Sequence, residues 1–191
     1  MTGRTHDLVS FASLLTITSI FPPVSLNLTT AIASMVGGVV GALIPDLDQA
    51  TKRLYDLLPG GNFVGRMFRH LMLGHRTLSH SILGVYIIYK ILTLVIPILL
   101  NPIYVDVQII ITSIMIGIIS HIFADSLTKD GVPLFFPFKI NVGFPPIKKL
   151  RITTGKFVEN FMVFPMVIVY IFYLVYTKKE VFLTLIHLIR S

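Results

Sequence analysis

Between Asp7 and Asp46 the chain runs for 38 residues without a charged or histidine side chain, and only "FPPVSLN" at 21–27 breaks the apolar run. A helix needs about 20 predominantly apolar residues to cross the hydrocarbon core of a bilayer. The pattern therefore predicts a transmembrane hairpin with spans near 8–21 and 28–45. The paired prolines stop the first helix, and its short span is either tilted less than its partner or partly interfacial. Residues 46–79 turn polar, basic and rich in turn formers, and a third apolar segment follows at about 80–100. "NPIY" at 101–104 turns the chain back into a fourth span, about 105–124. A second polar stretch, 125–156, is too broken by proline for a helix and reads as a short hairpin or interfacial loop. A fifth span covers about 157–177, and the tail from Lys178 is a short amphipathic helix or an extension of that span. The expected fold class is an all-α integral membrane protein: one transmembrane domain over 1–191, a bundle of about five helices.

Antiparallel parity puts the start of span one, the end of two, the start of three, the end of four and the start of five on one side of the membrane. That side collects Arg4, Lys52, Arg53, Arg66, Arg69, Arg76 and the basic residues of 129–156, against Lys178, Lys179 and Arg190 opposite. The positive-inside tendency makes it cytoplasmic, in a multi-pass protein of the cell membrane. Within the second span, Ala33, Gly37 and Gly41 recur every four residues, a spacing that lets another helix approach closely.

Composition agrees with a membrane protein: 54% of residues are hydrophobic and 13% charged, with a mean hydropathy of +0.83. No cysteine is present, which excludes disulfides and thiolate metal sites and leaves His, Asp and Glu as the only strong ligands. The net charge of +7 fits cytoplasmic loops and anionic headgroups, so membrane lipids are the expected partners. A nucleic acid is not expected, because the polar loops are too short for a groove. No small-residue cleavage site follows the first apolar run, so a signal peptide is not expected either.

The same cytoplasmic ends receive His6, Asp46, Asp48, His75, His80, His121, Asp125 and Glu159. Imidazoles and carboxylates near hydrocarbon are costly unless paired or bound to metal, and this set can satisfy itself around a divalent cation. His121 and Asp125 are i and i+4, hence on one helix face. "PDLD" sets Asp46 and Asp48 just past a helix end. His75 and His80 are five apart and do not share a helix face, so the third helix is expected to start near Ser79, with His75 on the preceding loop and His80 in the first turn. Zinc fits this donor set first, manganese or iron also fit, and one or two ions can be held. Arg76 is placed to clamp a phosphate bidentately, and a carboxylate not on the metal, Asp48 or Glu159, would be the general base. His187 lies on the opposite side, and mid-span Lys90 either snorkels or lines a polar cavity.

"THDL", "GALIPDLD", "HRTLSHSIL", "SHIFADSLTKDGVPLFFPF" and "RITTGKFVE" occur in this order, and the order resembles the YdjM-like family, described as LexA-regulated inner-membrane metal-dependent hydrolases. The likeness runs through nearly all of the chain up to about residue 160. It implies an integral membrane protein with a metal-dependent hydrolase site at His6, Asp46, Asp48, His75, Arg76, His80, His121, Asp125, Thr128, Gly131 and Glu159. In that pattern Thr128 and Gly131 look like turn-forming supports, the hydroxyl fixing Asp125 and the glycine permitting the loop.

The expected function is a membrane-embedded hydrolase that uses a metal-activated water on a lipid or isoprenoid phosphoester. The alternatives are a non-catalytic metal-binding membrane protein and a metal transporter, which would need polar groups through the bilayer. Oligomeric state is not legible.

Overall fold

In the computed structural model, residues 1–46, 78–138 and 140–190 are described. They form six α-helices: α1 Gly3–Ile20, α2 Leu28–Leu43, α3 Ile82–Leu99, α4 Val107–Ser126, α5 Phe164–Thr177 and α6 Lys179–Arg190. Among the described residues the only β pairing is two isolated bridges. Four helical stretches, Leu28–Asp46, Ile82–Leu99, Val107–Ser126 and Glu159–Thr177, are long and apolar enough to cross a membrane. The expected span at 8–21 coincides with α1 up to its end at Ile20, and α1 is not one of these four. That helix begins at Gly3 and takes in Arg4, His6 and Asp7.

The helix boundaries follow local chemistry. Asn27 caps α2 by accepting the Thr30 N–H at 2.7 Å, and Asp106 caps α4 by accepting from Gln108 and Ile109, each satisfying donors that the first turn leaves open. Ser81 caps α3, its hydroxyl oxygen accepting the Gly84 N–H at 3.0 Å. His80 therefore lies in the turn ahead of the helix and not in its first turn: of the two serines in "SHS", the second is the cap. Pro165 has no N–H to give, and just before it the chain widens into a π-helical turn, Glu159–Val163. Lys178 breaks the chain between α5 and α6, so the tail is a separate helix.

α4 is the centre of the bundle. Ile110, Ile114, Ile118 and Ile122, one helical turn apart, form its buried core with Ile88 of α3 and with Val105 and Val132. Its most extensive partner is α2, because the small-residue stripe expected from Gly37 and Gly41 does meet it. A Cβ at Gly41 would fall on the Ile114 carbonyl, and one at Gly117 on the Gly38 carbonyl. The backbones thus touch where hydrocarbon side chains would hold them apart. This contact brings the C-terminal end of α2, with its 3-10 turn Ile44–Asp46, against the last turns of α4.

Candidate metal centre

Asp46, His80, His121 and Asp125 each offer one ligand atom within 4.8 Å of the others. Three elements deliver them: the turn after α2, the turn before α3, and the last turns of α4. His121 and Asp125 share a face as their spacing predicts, with Nε2 3.7 Å from Oδ2. His121 Nε2 is 3.7 Å from Asp46 Oδ1, while His80 Nε2 is 3.6 Å from Asp46 Oδ1 and 3.7 Å from Asp125 Oδ2. These edges approach the value of about 3.4 Å for donors arranged tetrahedrally about 2.1 Å from a centre.

The far nitrogens of the two rings decide what the near ones can do. His121 Nδ1 lies 2.6 Å from the Ala42 carbonyl, which can only accept, so Nδ1 carries the proton. The Ser79 hydroxyl donates to the Pro45 carbonyl at 3.0 Å, which leaves its oxygen to accept from His80 Nδ1 at 3.0 Å. Each ring, when neutral, is thereby held as the tautomer whose Nε2 is a bare lone pair aimed into the cluster. Neither Nε2 has a hydrogen-bond partner among the described residues, nor does Asp46 Oδ1. Buried lone pairs of this kind are costly unless something electropositive meets them, and imidazole Nδ1–H bound to a carbonyl or hydroxyl is the usual support of a metal-ligating histidine. The donors therefore fit a divalent cation.

His6 joins the same cluster from α1. Its ring stacks on that of His121, centroids 3.7 Å apart and planes 9° from parallel, and its Nε2 is 3.1 Å from Asp125 Oδ1. The Met1 amino nitrogen also reaches Oδ1, the oxygen opposite the one that faces His80 and His121. Thr128 and Gly131 stand behind the cluster. The Thr128 hydroxyl donates to the main-chain carbonyl of Asp125 at 2.8 Å and not to its carboxylate, closing the end of α4. Gly131 takes a φ of 67°, the left-handed turn for which glycine is suited.

Glu159 is completely buried, but its environment is of another kind. Oε1 accepts from the Thr2 N–H at 2.6 Å and the Thr2 hydroxyl at 2.9 Å, and Oε2 accepts from the Gly155 N–H at 2.7 Å. The carboxylate ties the first turn of α1, and with it His6, to the start of the last membrane helix. Asp48, His75 and Arg76 lie outside the described residues. Sequence reasoning missed Ser79 and the Ala42 and Pro45 carbonyls. The single legible signal was a serine directly before His80, and main-chain acceptors leave no trace in the side-chain pattern.

Comparison with known proteins adds the family. A Bacillus subtilis protein named "Uncharacterized protein YvsG" is 31% identical over 168 residues, which cover 84% of this chain and 86% of that relative. No solved structure matches. The family model described as YdjM inner membrane protein matches residues 1–185. With that match and the relative agreeing over most of its length, the chain belongs to the YdjM family of inner membrane proteins.

Proposed function

We propose that this chain is a membrane-embedded, metal-dependent hydrolase acting on a lipid or isoprenoid phosphoester at the cytoplasmic face of the membrane. The observation that carries the reading is the pair of bare Nε2 lone pairs, on His80 and His121, held by hydrogen bonds on the far side of each ring. Asp46, His80, His121 and Asp125 are the residues to hold a divalent ion, zinc first by their nitrogen and oxygen donors, with manganese or iron also accommodated. Such an ion supplies Lewis acidity and a water of lowered pKa. Asp48 accepts the proton of the attacking water and Arg76 holds the phosphoryl oxygens. Glu159, with both oxygens committed to Thr2 and Gly155, keeps His6 in place, so the base role falls to Asp48. Support for a lipid substrate comes from the donors standing at the ends of apolar helices long enough to cross a membrane, since a phosphoester with a hydrocarbon tail presents its bond at headgroup depth.

Transport is less well supported. Lys90 sits exposed on the outer face of α3, its Nζ 5.6 Å from the Tyr86 ring centroid, and lines no polar path there.

The test is the metal content of detergent-purified protein, wild type beside a His121→Ala, Asp125→Ala double variant. It is followed by hydrolysis assays on phospholipids and isoprenoid phosphates with the metal found. Stoichiometric metal lost in the variant, with turnover abolished by Asp48→Ala in a protein that still inserts, is the expected result. No metal in either protein after loading with zinc and manganese overturns the site. Full turnover in Asp48→Ala overturns the roles.

A further inference from the structure

Between the end of α4 and the last membrane helix, residues 127–158 carry six basic side chains against the single acid Asp130. They also carry large apolar side chains that the fold leaves uncovered: Phe138, Phe144 and Leu150 are 69%, 66% and 67% exposed. This exposure is built in. Val132 and Val142 exchange main-chain hydrogen bonds at 2.8 Å, and Arg151 Nε donates to the Pro145 carbonyl at 2.8 Å, so the segment is folded with Val132 in the core and these three side chains outside. Two main-chain bonds then fasten it to helix ends on one side of the bundle, and a third closes its own base. The Ile82 N–H at the start of α3 donates to the Leu134 carbonyl at 3.0 Å, the Phe144 N–H donates to Ser126 at the end of α4 at 2.8 Å, and the Ile152 N–H donates to Leu127 at 3.0 Å. A segment pinned in this way to the start of α3 and the end of α4 lies at headgroup depth.

We infer that residues 127–158 form a lipid-binding platform, with Phe138, Phe144 and Leu150 immersed in the bilayer interface and Lys148 and Lys149 on the phosphates of anionic lipids. Charge selects the occupant. The arginine is spent on internal carbonyls, whereas the two lysines of the 3-10 turn Lys148–Leu150 directly precede the exposed Leu150, the pairing of a hydrophobic anchor with a cation that suits an anionic membrane surface. Large apolar side chains left facing water would invite association. The inference does not depend on the metal reading.

The chain contains no tryptophan, so a single introduced indole reports one position. Phe144→Trp and Phe138→Trp, each in the full chain, are reconstituted into nanodiscs of phosphatidylcholine or of an equimolar mixture with phosphatidylglycerol, with and without brominated acyl chains. Phe172→Trp on exposed α5 gives the signal of an immersed indole. The expected result is blue-shifted emission, largely quenched by brominated lipid, more strongly in the anionic discs. Lys148→Gln with Lys149→Gln should return the anionic discs to the level of the neutral ones. Solvent-like emission, quenched by aqueous acrylamide and indifferent to bromine, overturns the inference. So does an indole shielded from both quenchers only when two chains share a disc, which would make the cover a second copy.

Discussion

Two serines flank His80, and they do different work, so exchanging each for alanine separates site chemistry from helix stability. Ser79→Ala removes one donor and one acceptor at once: the Pro45 carbonyl loses its O–H partner and His80 Nδ1–H loses its acceptor. Both serines and His80 are buried, so no water replaces these bonds cheaply, and an unsatisfied buried polar group costs about 1–3 kcal/mol. The ring then loses its preference for the tautomer with a bare Nε2. Loss of such an outer partner typically lowers metal affinity about 10- to 100-fold, or about 1.4–2.8 kcal/mol at 1.4 kcal/mol per factor of ten. Ser81→Ala removes the cap of α3, expected to cost about 1 kcal/mol of stability while leaving His80 its partner. The assay is zinc affinity by chelator competition, run beside thermal unfolding of the apo protein in the same detergent. Ser79→Ala should weaken zinc by one to two orders of magnitude and Ser81→Ala should leave it within about twofold, although both unfold earlier. Unchanged zinc affinity in Ser79→Ala, or an equal loss in both variants, would refute the tautomer argument.

Gly41→Ala gains about 1 kcal/mol of helix propensity but forces a methyl onto the Ile114 carbonyl, and overpacking against unyielding backbone costs about 1–3 kcal/mol. The net result should be a lower melting temperature together with weaker metal binding, because α2 and α4 part where Asp46 meets His121. Glu159→Gln places an amide among the donors of Thr2 and Gly155. Since the chain has no cysteine, a buried Thr5→Cys reporter should be alkylated roughly 5- to 100-fold faster in that background, as about 1–3 kcal/mol of anchoring is lost. Gly131→Ala must hold a φ of 67° and meets the Val142 carbonyl. A loss of at least about 1–2 kcal/mol is expected in the unfolding transition, whereas metal stoichiometry measured below that transition should be retained.

What could be read from the residues was what a regular period carries. His121 and Asp125 at i and i+4, and Gly37 and Gly41 on one stripe, are consequences of 3.6 residues per turn and needed no tertiary information. His80 was placed in the wrong part of its turn because both serines of "SHS" are good caps, and the choice between them rests on Leu134 receiving the Ile82 N–H, a contact 52 residues away in the chain. The anchoring of Glu159 was not legible at all. Two of its three donors are the main-chain N–H groups of Thr2 and Gly155, which are the same in every residue, and the third is the Thr2 hydroxyl, 157 positions away in the chain. Thr128 was expected to fix Asp125 through its hydroxyl, and that hydroxyl bonds to the Asp125 main-chain carbonyl, a choice that depends on how α4 ends.

The donors of the cluster stand at positions 46, 80, 121 and 125, and a ribosome releases them in that order. After the third helix has emerged, a nascent chain owns only half of the set, and α2 still shows its glycine stripe to lipid because α4 has not arrived. The four donors stand together only once α4 is in place, the same helix that completes the core. On the proposed metal reading, a chain stalled or cut before His121 would lack two of the four donors and the helix that seals the bundle, so the site and the core would fail together.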